Sequence, residues 1–303
     1  YHWADQGDLG ALILGQSMNL VSLNQRQNLN PNIGTTKMSD TNPSPPPAKP
    51  SGTILLLRED AAALEVFMVV RHHQIDFASG ALVFPGGKAD PQDFDDALQP
   101  HLTGAATEPA ARAIQVSAIR EAFEECGVLL AREVGSQKLI SGKRLASLEH
   151  YREALNSGEV SLLDFLAKEQ LILACDTLVH FAHWITPEMM PKRFDTHFYL
   201  ALAPADHVAL HDGYESVDSV WISPADAVAE AAAGTKTVIF PTLRNLEKLA
   251  ESKTPAEAMA TAKAKPVVPV LPWTEQREDG NYLCIPIEAE YAISEEKMPS
   301  RSG

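Results

Sequence analysis

Basic charge, cysteine and long apolar runs are all scarce in this sequence. Lys and Arg number 25 against 40 Asp and Glu, a net charge of −15 at pH 7. A nucleic-acid scaffold needs a basic face to neutralise phosphates, so no nucleic-acid partner is expected. An anionic small molecule is not excluded, because a divalent cation held by carboxylates becomes the largest charge in such a site. The three cysteines, Cys126, Cys175 and Cys284, lie far apart with no CxxC spacing. Neither a disulfide framework nor a structural zinc site is expected, and a reducing, cytoplasmic setting is the simplest reading. No run of about 18 apolar residues occurs, so neither a transmembrane helix nor a membrane partner is predicted. Residues 9–21 are only mildly apolar and no basic residue precedes them, which makes a poor secretory signal.

What is present is ordinary globular material: 303 residues, 45% hydrophobic and 21% charged, enough to bury a substantial core. The first 37 residues are rich in Asn, Gln and Gly, and a Pro/Ser-rich texture begins at Met38. Met38 is read as the natural start, 1–37 as a leader, 38–52 as a linker, 53–296 as the folded domain and 297–303 as a tail. TILLLR (53–58) and LEVFMVVR (64–71) read as a strand hairpin, and ALVF (81–84) as a short strand broken by Pro85-Gly86-Gly87. A helix is predicted from Thr107, as N-cap, to Cys126, with Pro109 in its first turn and Gly127 at its stop. Residues 143–173 look helical, and strands follow at 178–185, 196–203 and 217–222. Later helices are predicted over 223–234, capped by Ser223, and from near Thr242 and Thr254, the last with a Thr254/Glu257 capping box. Such mixed elements predict an α/β sandwich rather than a doubly wound parallel sheet.

The informative segment is Arg120-Glu121-Ala122-Phe123-Glu124-Glu125-Cys126-Gly127-Val128. At 100° per residue Glu121, Glu124 and Glu125 share an arc of about 100°. Val116, Ile119, Phe123 and Cys126 fall on the opposite, core-facing side. Grouped carboxylates suit Mg²⁺ or Mn²⁺. Taken alone, three glutamates on one helix face describe a solvated surface. The preceding Phe84-Pro85-Gly86-Gly87-Lys88-Ala89-Asp90, a strand running into a glycine loop, alters that reading.

In this order the two segments resemble the Nudix box, G-x5-E-x7-R-E-U-x-E-E-x-G-U, where U is aliphatic. Gly87 matches the first glycine; Arg120, Glu121, Glu124, Glu125, Gly127 and Val128 match the second half, with Ala122 at the first U. Two departures stand out. Asp93 replaces the leading glutamate, and 26 residues (94–119) separate it from Arg120 where the pattern has seven. The interrupted box, the segment TPEMMPKRFDTHFYLAL (186–202) and a C-terminal extension together resemble the Nudix branch that contains acyl-coenzyme A diphosphatases. The resemblance covers roughly residues 51–290.

That resemblance implies a Nudix-type α/β/α sandwich with a mixed β-sheet, helical insertions at 94–112 and 130–175, and a C-terminal extension. It implies a metal-dependent hydrolase that cuts the diphosphate linkage of a nucleoside diphosphate derivative, most readily coenzyme A or an acyl-coenzyme A. ADP-ribose, dinucleotides and a non-catalytic nucleotide-sensing module are the alternatives. Glu121, Glu124 and Glu125 would hold the Mg²⁺ or Mn²⁺, with the Gly87 carbonyl as a further ligand. Arg120 would orient a box glutamate. The general base would be a box glutamate or an outside carboxylate, for which Glu215 is the candidate. Arg71, Lys88 and Arg193 are candidate phosphate contacts, although a surface cation is an equal reading for each. His180 and His183, three apart on a strand, are expected on opposite faces and so make a poor ligand pair. Phe77, Trp184 and Cys126 read as core packing. The stretch 130–175 is expected to join the same domain as a lid or dimer element, leaving a homodimer open.

Overall fold

The two apolar runs pair as a hairpin. In the computed structural model, which describes residues 45–298 except 62, 72–79 and 210–215, β1 (Lys49–Asp60) and β2 (Ala63–Arg71) run antiparallel. Ile54, Leu55, Leu56 and Leu57 are all fully buried, so β1 is covered on both faces. Ile54 and Leu56 enter one core and Leu55 and Leu57 the other, as the two-residue alternation of a strand requires. β1 begins at Lys49, not at Thr53 as the sequence suggested. A parallel ladder with the strand starting at Phe194 draws the last four linker residues into the sheet.

Next come β3 (Leu82–Val83), β4 (Gly86–Lys88), and 3₁₀ turns at Pro91–Phe94 and Asp96–His101. One edge of β1 is divided: β2 takes Leu57–Asp60 and β4 takes Ser51–Thr53. The glycine strand is thereby laid beside β1, under helix α1 (Pro109–Cys126). The N-cap of α1 is Glu108 rather than Thr107, its side chain accepting from the Ala111 amide at 2.6 Å. Pro109 at N1 dictates this, since the residue before a proline is held extended and cannot itself be helical. Gly127 ends the helix at φ 67°, ψ 20°, a left-handed conformation that costs an L-residue about 1–2 kcal/mol. Gly127→Ala is therefore expected to lower the unfolding free energy by about that amount, read by denaturant titration. A change below about 0.5 kcal/mol would show that this stop adapts.

β5 (Ala131–Glu133) is followed by three short helices, α2 (Gly142–Leu148), α3 (Tyr151–Asn156) and α4 (Leu162–Glu169), then by β6 (Leu171–Leu173), which pairs with β5. The end of this stretch is a strand, not a helix as predicted, because Gln170 turns left-handed at φ 53° and the chain emerges extended. Leu148, Tyr151, Leu155, Phe165 and Leu166 share one core with Ile119 and Phe123 of α1.

β7 (Val179–Ile185), β8 (Phe194–Leu202) and β9 (Ser216–Ile222) complete the main sheet, with β10 (Pro269–Val270) at one edge. The order is β10-β7-β8-β1-β2-β3, with β4 also on β1 and β9 on β2; β1–β8 and β7–β10 are parallel and the other pairs antiparallel. The register of β7 on β8 slips between His180 and Ala182, leaving Phe181 as the extra residue. This corrects the reading of His180 and His183 as facing opposite ways. A bulge adds one residue and restores them to the same face.

The second core holds α5 (Pro224–Ala232), α6 (Phe240–Leu249) and α7 (Pro255–Ala264). α6 begins two residues before Thr242, with Ile239 as its N-cap and Pro241 in its first turn. A three-stranded sheet of β11 (Trp273–Arg277), β12 (Gly280–Cys284) and β13 (Glu295–Lys297) forms the extension. Buried hydrogen bonds tie that region to β7 and α6: Trp184 Nε1 donates to the Tyr291 hydroxyl at 2.8 Å, which donates to Asn245 Oδ1 at 2.7 Å. The mixed sheet between two helical layers is the α/β architecture expected. Among the described residues no helix is long and apolar enough to cross a membrane.

Candidate active site

The α1 carboxylates are organised around one guanidinium. Arg120, 3% exposed, donates from Nε and Nη2 to the two Asp93 oxygens, both at 3.0 Å, and from Nη1 to Glu124 Oε2 at 2.8 Å. Its Nη2 also meets the Lys88 carbonyl at 3.1 Å and Glu121 Oε1 at 3.1 Å. The forked pairing to Asp93 is the geometry at which arginine excels. Asp93 thus holds Arg120 from the far side of residues 94–119. The 3₁₀ turn at Pro91–Phe94 presents this shorter acid, whose Oδ2 also accepts the Asp90 amide at 2.8 Å.

β4 closes the other side. The Gly86 amide donates to Glu125 Oε2 at 3.0 Å. Gly87 lies so close to Glu121 that a methyl group there would fall on the carboxylate. Three glutamates of α1 are therefore drawn toward one glycine strand, two by direct contact with it and Glu124 through Arg120. Burial pushes Glu124 up to about 8 despite the neighbouring Arg120. Burial likewise raises Asp93, opposed by its bonds to Arg120. Burial acts to lower Arg120, but the hydrogen bonds to Asp93 and the surrounding carboxylates outweigh it and hold the guanidinium charged.

Arg152 of α3 donates from Nε to the Glu124 carbonyl at 3.2 Å and from Nη2 to the Glu125 carbonyl at 3.1 Å. A cation on the last carbonyls of a helix satisfies both their hydrogen-bonding capacity and the helix dipole. Nothing in the local sequence around Arg152 pointed to this role.

The remaining predicted residues divide. Arg71, at the end of β2, lines a small cavity with Val69, Val83, Phe84, Gly86, Glu125 and Ser216, and its buried Nε has no hydrogen-bond partner among the described residues. Lys88 contributes its carbonyl to Arg120 while its side chain is exposed. Arg193 is engaged elsewhere, donating to the Thr186 and Pro46 carbonyls at 3.0 and 2.9 Å. Glu215, Phe77, residues 1–37 and Met38 lie outside the described residues. Trp184 and Cys126 are buried in the core.

The carboxylate set fits a hard divalent cation. Glu124 Oε1 is buried and accepts no hydrogen bond among the described residues, leaving a lone pair for a ligand. Among the described residues the ligand atoms that converge here are oxygens, the chemistry Mg²⁺ and Mn²⁺ prefer.

A mixed sheet between helical layers, with a glycine strand facing a helix of clustered glutamates, defines the Nudix fold class. Comparison with known proteins agrees. A profile of the NUDT19 Nudix domain matches residues 99–249. A Caenorhabditis elegans relative designated nudix hydrolase 7 is 29% identical over 190 residues, 62% of this chain and 56% of that protein. The acyl-coenzyme A diphosphatase NUDT19 of Xenopus laevis is 23% identical over 206 residues, 55% of this chain and 54% of the relative. A crystal structure of a NUDIX hydrolase from Alicyclobacillus acidocaldarius superposes with a TM-score of 0.58 at 26% identity, covering 73% of this chain and 99% of that one. Residues 99–249 thus resemble the Nudix hydrolases in sequence, and the chain shares their fold. It spans about half the length of the two relatives compared by sequence.

Proposed function

We propose that this chain hydrolyses the diphosphate linkage of a nucleoside diphosphate derivative, with coenzyme A or an acyl-coenzyme A as substrate and Mg²⁺ or Mn²⁺ as cofactor. The observation that carries the reading is the convergence of Glu121, Glu124 and Glu125 on β4, locked by the Arg120–Asp93 fork. The choice of coenzyme A rests on the likeness to the NUDT19 Nudix domain and to proteins named as acyl-coenzyme A diphosphatases.

Glu121, Glu124 and Glu125 would hold the metal, with the Gly87 carbonyl beside them. When bound, the cation supplies Lewis-acid polarisation of a phosphoryl oxygen and a lowered water pKa. Arg120 acts on the carboxylates and not on substrate: its donors are taken up by Asp93, Glu124 and the Lys88 carbonyl. Arg71 lines the same cavity as Glu125, and its Nε has no partner among the described residues, which supports a role in meeting a phosphate oxygen; exposed Lys88 ends β4. The proton acceptor is a box glutamate or a carboxylate outside it, Glu215 among them.

The test is a substrate panel of coenzyme A, acyl-coenzyme A, ADP-ribose, NADH and diadenosine polyphosphates, with Mg²⁺ or Mn²⁺ and products read by mass. Release of 3′,5′-ADP from coenzyme A is expected. Glu125→Gln should reduce turnover by about 10²–10³-fold or more, the range seen when one polar group stabilising the transition state is removed. Cleavage of ADP-ribose alone would reassign the substrate. Ligand binding without turnover would replace hydrolysis by nucleotide sensing.

A further inference from the structure

On the α1 face of the sheet, away from the box carboxylates, β7 and β8 bring together His180, His183, His197 and Asp195. The β7 bulge is what allows it, since an unbroken strand would send His180 and His183 to opposite sides. His183 sits directly across from His197 in the register, with ring centroids 4.0 Å apart, and the His180 ring lies 5.0 Å from that of His197 and 6.4 Å from that of His183. His183 Nε2 contacts Asp195 Oδ1, and His197 Nε2 lies 3.8 Å from the same oxygen. One ligand atom from each of His183, Asp195 and His197 falls within 4.8 Å of the others.

We propose that His183, Asp195 and His197 form a second metal site, for a borderline divalent ion of the Zn²⁺ class, separate from the box carboxylates. Zn–N bonds of about 2.0–2.1 Å in a tetrahedron place neighbouring ligand atoms about 3.4 Å apart, so the observed spacing closes on an ion with small side-chain rotations. Two imidazoles and one carboxylate favour Zn²⁺ over Mg²⁺, which takes oxygen ligands. His180 supplies the outer support such ligands need: its Nε2 lies 3.0 Å from His197 Nδ1. With His197 Nδ1–H donating to His180, the Nε2 lone pair of His197 is the one facing Asp195. Three protein ligands leave a fourth position open to water, and the side chains of His183, His197 and Asp195 are 15%, 18% and 36% exposed, so an ion can reach them. The site is distinct from the box. Gly52 pairs with Gly87 on one side and His197 on the other, which sets His197 about two strand spacings, roughly 10 Å, from the glycine strand.

The experiment titrates the full chain, in excess Mg²⁺ to saturate the oxygen site, with Co²⁺ read by visible ligand-field absorption and then displaced with Zn²⁺. About one Co²⁺ per chain is expected, with affinity retained in Glu125→Gln and lowered by about 10²-fold or more in His183→Ala and in His197→Ala. Asp195→Asn, close to isosteric, carries the test if either histidine variant fails to fold, and should weaken Co²⁺ binding likewise. No absorption with the wild type, unchanged binding in the folded variants, or loss of binding in Glu125→Gln would each overturn the site. Because the readout is metal binding, it is independent of whether the diphosphatase assay succeeds.

Discussion

Arg120→Ala is expected to lower the unfolding free energy by about 3–5 kcal/mol, the cost of leaving buried charges without their partner. Asp93 and Glu124 have side chains 0% and 5% exposed, so neither can turn to water when the guanidinium is gone. The loss should appear as a lower denaturation midpoint with an unchanged m-value. Asp93→Ala alone should also destabilise, while Arg120→Ala with Asp93→Ala should cost clearly less than the sum, the signature of two groups in one network. Additive losses would show that Arg120 and Asp93 act separately. A deficit below about 1 kcal/mol for Arg120→Ala, the level of an exposed pair, would show that water reaches the cluster.

The second large effect is expected on the core-facing side of α1, opposite the carboxylates. Phe165 is fully buried on α4, its ring stacked on Phe123 of α1 with centroids 5.7 Å apart and also against Tyr151 at 4.8 Å. Removing an aromatic side chain from such a site costs about 3–5 kcal/mol, and Phe165→Ala should shift global unfolding by that amount in a single transition. If residues 130–175 were a lid resting on a finished domain, the variant would instead lose only the protection of 130–175 from protease, leaving the main transition in place. We propose that the stretch is integral to the fold. Its apolar side chains enter the same core as α1, β1 and β2.

Much of this architecture was legible because the signals are local. The short apolar run of β1, the Gly127 stop and the 3-4-3 apolar spacing of α1 each depend on a few adjacent residues, and the strand and helix types follow from them. The features that escaped depend on distant partners. Lys49 to Gly52 look like linker because their strand partner begins at Phe194. Nothing near Arg152 indicates that it will meet α1 carbonyls. The bulge at Phe181 has no glycine or proline to betray it, and it reversed the expectation for two histidines. The clustering of glutamates on one helix face was readable from the 3.6-residue period. That Asp93 would reach Arg120 across 26 intervening residues was not readable from the period, since it depends on where the 3₁₀ turn comes to rest.

The grip of Arg152 on the Glu124 and Glu125 carbonyls has a practical consequence for anyone wishing to shorten this protein. Removing residues 130–175 would discard α3. The Glu124 and Glu125 carbonyls, in the last turn of α1, would then lose their cationic partner and face water. Compensation would have to come from elsewhere, through a new cation grafted near Gly127 or a longer stretch of regular helix beyond it. A segment distant in sequence from α1 is thus the one that holds the backbone carrying two of the three acids.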